Sequence, residues 1–212
     1  MPQATLPSVR ALGIHRIAQK YGATFGVMAT LNRIPNWGLA LLTPVLLSLA
    51  WPGNLGYHEW PLLAPLLWVS LVPMLVLEAR MRPAPLRRFA GWALLSMALF
   101  NLGTTWWVAG AHWSGVLGAV LINGILMGGV WTLYSYTARQ VGVRTALWIW
   151  VTGWIAIEIL HEIWAFSFPW LNLGNAFAEV PHWVRWYAWT GPRGGTLWLL
   201  LANALFWQLS TG

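Results

Sequence analysis

Six apolar runs govern what this chain can fold into. They lie near residues 37–52, 61–79, 89–110, 114–137, 145–165 and 194–210. A helix needs about 20 apolar residues to cross the hydrocarbon of a bilayer. The third to fifth runs are long enough; the first is short and carries Pro44. Only 8% of the residues are charged and 58% are hydrophobic. A soluble domain carries about a quarter charged residues, so this chain has too few to cover a surface facing water. The sequence predicts an all-α integral membrane protein with about six transmembrane helices in one bundle. Two parts are expected: a basic cytoplasmic segment over 1–36, disordered or partly an amphipathic surface helix, and a helical membrane domain over 37–212.

The charges predict an orientation. With the N-terminus inside, the inner segments hold Arg10, Arg16, Lys20, Arg33, Arg80, Arg82, Arg87, Arg88, Arg139 and Arg144. The outer loops hold only Arg185 and Arg193. Positive residues favour the cytoplasmic side, so both ends are expected inside and residues 166–193 outside. In a bacterium, that is the periplasmic face of the inner membrane. The same distribution accounts for the net charge of +7 without nucleic acid as a partner. Residues 1–36 lack the compact apolar stretch and small-residue cleavage site of a signal peptide. The chain ends at Gly212 directly after its sixth apolar run, with no polar tail, as expected of a truncated sequence.

Several chemistries are excluded by composition. There is no Cys, hence no disulfide, thiolate metal site or Cys nucleophile on this chain. There is no Asp and no G-x-S-x-G elbow, so a Ser-His-Asp triad is impossible. His112 and Ser114 are neighbours on a short loop but belong to no nucleophile–base motif. Glu158 and His161 have the spacing of a di-metal ligand pair, but such sites need a second pair and further Glu residues on other helices. Glu59, Glu78 and Glu179 remain, at loops or helix ends. No metal or cofactor is expected.

The stretch from Glu158 to Leu205 is the most informative. Glu158 lies well inside the fifth run, where an ionisable group is expensive. His161 and Glu162 follow on the same broad helix face. Two readings stand for Glu158: a hydrogen-bond anchor between the helix end and the outer loop, or direct contact with substrate. Phe168-Pro169-Trp170 then makes a turn, because Pro169 fixes its own φ and biases Phe168 away from helix. Trp106, Trp107 and Trp170 are expected at the same outer level. Trp favours the membrane–water boundary, so these residues form either an interfacial belt or a hydrophobic entrance for acyl chains. Gly124 and Gly128 allow close helix approach, within the bundle or in a dimer. Asn101, Asn123 and Asn203 lie in apolar runs and each needs a partner in hydrocarbon.

These residues resemble the membrane part of apolipoprotein N-acyltransferase, the bacterial enzyme that N-acylates lipoproteins. The resemblance is carried by Glu158-Ile-Leu-His161, by Phe168-Pro169-Trp170-Leu171 followed by Gly174 and Asn175, and by the helix from Gly194-Gly195 to Asn203. Weaker echoes are Trp51-Pro52, the run from Pro61 to Pro73, and Asn101 to Trp107. The Phe-Pro-Trp-Leu-Asn-Leu-Gly-Asn version looks like the Bacteroidota branch. His161 stands where the family usually has Arg. The resemblance implies ping-pong acyl transfer. A Cys thiolate of a periplasmic nitrilase-like domain takes an acyl chain from a phospholipid and passes it to the amino group of a diacylglyceryl-lipoprotein. That domain and its Glu-Lys-Cys set are not in these 212 residues, so no catalytic residue carries over. The candidates for lipid or substrate contact are Glu158, His161, Phe168, Trp170, Asn175, Trp106 and Trp107, and structural roles are expected of Pro169, Gly174, Gly194, Gly195 and Asn203. The implied partners are membrane phospholipid, a lipoprotein substrate and a nitrilase-like domain, missing here or separately encoded. Alternatives are a stand-alone lipid-binding module serving a separate nitrilase-like protein, or an unrelated small transporter.

Overall fold

Two prolines mark a break in the second apolar run. The computed structural model describes residues 30–53 and 62–211, which form helices and turns with no strand among them. Six α-helices follow the apolar runs: α1 (Asn36–Leu49), α2 (Val72–Met81), α3 (Leu86–Thr105), α4 (Trp113–Gln140), α5 (Val143–Ile163) and α6 (Tyr187–Thr211). Three stretches, Ala64–Met81, Trp113–Gln140 and Val143–Ile163, are long and apolar enough to cross a membrane. The second run, read as one helix, is two pieces. A 3-10 turn over Ala64–Trp68 precedes α2, with Pro65 and Pro73 each in a first-turn position that needs no N–H. The first run forms 14 residues of helix with Pro44 inside it. The expected surface helix within 1–36 falls largely outside the described residues.

Asn203 of α6 stitches the break in the second run. Its side-chain oxygen accepts the Leu71 N–H at 2.8 Å, and its amide donates to the Leu67 and Leu199 carbonyls at 2.8 and 2.9 Å. A helix break leaves backbone groups unpaired, which is costly away from water; here a side chain from a neighbouring helix pairs them.

Glycines bring α3 and α4 together. A Cβ on Gly124 would lie 3.3 Å from Ala98 Cα, and one on Gly128 3.0 Å from Leu94 Cα. The Gly124/Gly128 spacing is thus used within the bundle. On its other side α4 meets α5 through Trp131, Tyr134, Trp150 and Trp154, all fully buried. Trp131 stands edge-on to Tyr134 and Trp154, with centroids 5.9 and 6.5 Å apart. Edge-to-face contact suits aromatic quadrupoles and adds about 0.5–1.5 kcal/mol per pair beyond burial.

The Arg-rich end of the bundle is sewn by charge. Glu78 is fully buried. Its carboxylate accepts from Arg82 at 2.6 Å and from the Ser135 hydroxyl at 3.0 Å. The hydrogen bond to Glu78 pushes the Arg82 guanidinium above its ordinary value. Arg80 donates to the Ile34, Leu31 and Asn32 carbonyls and to the Asn36 side chain. Arg139 donates to the Ala84 and Met81 carbonyls. Expected only at a loop or helix end, Glu78 lies in the last turn of α2 and is buried there, as Glu158 is in α5.

Candidate functional site

Helix α5 ends at Ile163, and the chain turns back through three 3-10 turns, Pro169–Leu171, Leu173–Phe177 and Pro181–Trp183, before α6 begins. Glu158, only 2% exposed, anchors this loop. Its Oε1 accepts the Leu173 N–H at 2.8 Å. The Thr196 hydroxyl lies within 2.9 Å of both carboxylate oxygens and accepts the Gly174 N–H at 2.9 Å. The Tyr187 hydroxyl donates to the Gly174 carbonyl at 2.9 Å. One carboxylate thus ties α5, the loop and α6 together.

The glycines explain how the loop fits. A Cβ on Gly174 would collide with the Pro192 carbonyl, and one on Gly195 with the Tyr187 hydroxyl. Gly194 packs against Thr190 and Trp186 as closely. Helix α6 is kinked at Gly191, whose φ of 64° and ψ of −174° are non-helical. The sixth run was expected to open at Gly194–Gly195, but helical structure starts before this kink, at Tyr187.

A cleft of about 840 Å³ lies beside the loop. Thr104, Thr105, Trp106 and Trp107 come from the end of α3 and the following 3-10 turn. Trp51, Pro52 and Gly53 follow α1; Trp170, Leu171, Asn175 and Ala178 come from the loop. Trp107 and Trp170 meet edge to face with centroids 6.2 Å apart. Both are more than half exposed, as is Trp106. Asn175 spends one amide hydrogen on the Pro169 carbonyl at 3.0 Å. Thr104 and Thr105 donate to the Phe100 and Asn101 carbonyls. The described lining carries no charged side chain, which suits apolar chains better than a phosphate.

The fold therefore brings together four of the seven residues singled out for substrate contact: Trp106, Trp107, Trp170 and Asn175. The other three do not line the cleft. Glu158 lies behind the loop. His161, 3% exposed, accepts the Trp164 indole N–H at 3.3 Å, while its carbonyl accepts the Ser167 hydroxyl at 2.5 Å. Phe168 packs against the core on the other side of the turn. Arg193 pairs with Glu162. Ser114 Oγ lies 2.7 Å from His112 Nδ1, but that nitrogen also accepts the Ser114 backbone N–H, which makes the pair the N-cap of α4. Sequence reasoning passed over Thr196, Tyr187, Thr104 and Thr105. Their hydroxyls are indistinguishable from any others until the loop is folded.

The comparisons with known proteins decide the lineage. The profile described as the apolipoprotein N-acyltransferase N-terminal domain matches residues 43–205. The chain belongs to that family. It is 34% identical over 191 residues to an apolipoprotein N-acyltransferase of Chlorobaculum tepidum, an alignment that covers 87% of this chain and 33% of that protein. The chain thus spans about a third of the length of this curated relative. No solved structure matches it. The anchored Phe-Pro-Trp loop and the tryptophans after α3 both fall within the matched region.

Proposed function

We propose that this chain is the membrane platform of an apolipoprotein N-acyltransferase, and that the Trp-lined cleft is where acyl chains of its lipid substrates enter. In this reading the platform binds a phospholipid donor and a diacylglyceryl-lipoprotein acceptor. A nitrilase-like domain supplies the thiolate, and the platform contributes position rather than chemistry. The observation that carries the reading is the convergence of Trp106, Trp107, Trp170 and Asn175 on one cleft of about 840 Å³ from segments far apart in sequence. Walls of tryptophan, proline and leucine without a charged side chain suit a hydrocarbon chain.

Helix lengths support the placement. About 30 Å of hydrocarbon corresponds to about 20 helical residues. Counting that far from Arg88 reaches Val108, next to Trp106 and Trp107; from Arg139 along α4 it reaches Ala119; from Arg144 along α5 it reaches Trp164. The cleft then sits at the boundary opposite the arginines. With six spans and both ends cytoplasmic, that boundary belongs to the periplasmic leaflet of the inner membrane. Single cysteines at Ser167 and Ala84 test this: an impermeant maleimide should label position 167 in intact cells and not position 84, and the reverse pattern would invert the topology.

The cleft itself is tested by filling it. Ala178 is an exposed lining residue. Ala178→Trp should lower transfer of an acyl chain to a diacylated lipopeptide by about tenfold or more when the chain acts with its nitrilase-like domain, since a misplaced reactant costs up to about 100-fold. Unchanged transfer with normal amounts of folded protein would show that substrate does not pass through the cleft.

A further inference from the structure

A second, smaller cavity lies across the Phe-Pro-Trp turn from the cleft. Its volume is about 160 Å³, and its walls are Gly118, Ala119 and Ile122 on α4 and Phe166 to Phe168 on the turn. Asn123 also lines it. This residue is 1% exposed, and neither the amide nitrogen nor the oxygen of its side chain has a hydrogen-bond partner. Asn203, by contrast, makes three such bonds. An unpaired buried carboxamide is costly, about 1–3 kcal/mol per group. Such a group calls for an explanation, and a bound partner is one.

The surroundings narrow what that is. A cavity of about this size with apolar walls accepts a small hydrocarbon body. Leu117 and Leu121, on the same helix, are each 60% exposed, so the cavity borders the lipid-facing surface. By the helix count above, Ala119 and Trp164 lie at the edge of the hydrocarbon. The ester carbonyls of a bilayer lie at that depth, at the head of each acyl chain. An ester carbonyl is an acceptor with alkyl on one side, and the Asn123 amide is a donor in an apolar pocket.

We propose that this pocket holds the ester-linked head of one acyl chain of a membrane glycerolipid, with the Asn123 amide donating to the ester carbonyl. The pocket is distinct from the Trp-lined cleft: the two share no lining residue. The Phe166–Phe168 wall runs directly into Pro169 and Trp170, so the bound lipid braces from behind the turn that presents Trp170 to the cleft. The inference rests on the membrane placement proposed above and not on the acyltransferase reading.

Gly118 gives a clean variant, because a Cβ there meets nothing within 4 Å. The probe is phosphatidylethanolamine with a photoreactive diazirine on the carbon next to the chain linkage, diluted into phosphatidylethanolamine vesicles holding the chain. One version has ester linkages and the other ether linkages. The ester probe should label residues 118–122 and 166–168. The ether probe should label them about twofold to tenfold less, the worth of one net hydrogen bond. Gly118→Leu should abolish labelling there by filling the pocket, and Asn123→Leu should bring the ester probe down to the ether level. Labelling of Leu117 and Leu121 by both probes is the internal standard. If these residues label and the pocket does not, or if ester and ether label the pocket equally, the lipid site is wrong and the carboxamide is paired by water. If Leu117 and Leu121 also fail to label, the membrane placement falls, and the lipid site falls with it.

Discussion

Among the described residues one glutamate is buried near each end of the bundle, and the two are held in opposite ways. Glu78, at the Arg-rich end, is neutralised by Arg82 and supported by Ser135. Glu158, at the Trp-rich end, takes its hydrogen bonds from neutral donors, the Leu173 N–H and the Thr196 hydroxyl. The first joins helix to helix, α2 to α4. The second joins helices to a loop. A buried ion pair fixes rigid elements but costs heavily when one partner is lost. A carboxylate bound to backbone and hydroxyl donors instead organises an irregular segment whose N–H groups have no ladder to join. A buried ion pair holds the end that faces away from the cleft; at the end that forms it the buried carboxylate is held by neutral donors, and the ion pair there, Arg193–Glu162, is half exposed.

That contrast can be broken by substitution. Arg82→Ala strands the fully buried Glu78 carboxylate and should destabilise the fold by about 3–5 kcal/mol, seen as a large loss of folded protein or a steep fall in Tm in detergent. The same loss is not expected at Glu158, where Glu158→Ala strands two neutral donors and should cost about 2–3 kcal/mol. Glu158→Gln keeps an acceptor for Leu173 and should cost less again, whereas Glu78→Gln leaves Arg82 without its counter-charge. Glu→Gln should therefore hurt more at 78 than at 158; equal losses would erase the distinction. The smallest effect belongs to Tyr187→Phe, which removes one bond to the Gly174 carbonyl and should cost about 1 kcal/mol. Its measurement is the same thermal unfolding curve.

Much of the fold was legible because hydrophobic run length is a physical signal that tertiary context seldom overrides. The ends of α3 to α5 fall close to the ends of their runs. The break in the second run was not anticipated, although Pro65 and Pro73 sit in the first turns of its two pieces, and neither was its repair, since nothing in the sequence ties Asn203 to Leu67 and Leu71. Glu78 was placed at a loop or helix end, and it lies in the last turn of α2; its burial depends on packing against α4, which sequence position does not reveal. At the site, the tryptophans and Asn175 stood out by composition and by resemblance. The cleft did not, because its walls come from three segments and several of its members, such as Leu171 and Ala178, are chemically unremarked. Asn123 was expected to find a partner as Asn203 does; its lack of one emerges only from the packed structure.

The central claim is that Trp170 serves the cleft while Glu158 serves the fold, and one assay separates them. N-acylation of a diacylated lipopeptide should be measured per folded molecule for Trp170→Ala and Glu158→Ala, with the chain acting beside the nitrilase-like domain proposed above. Trp170→Ala should leave the amount of folded protein near normal and lower activity per molecule about threefold to tenfold, the worth of a well-placed aromatic contact. Glu158→Ala should lower the amount of folded protein as well. Full activity per folded molecule in Trp170→Ala would make the Phe-Pro-Trp turn a structural corner and contradict the account.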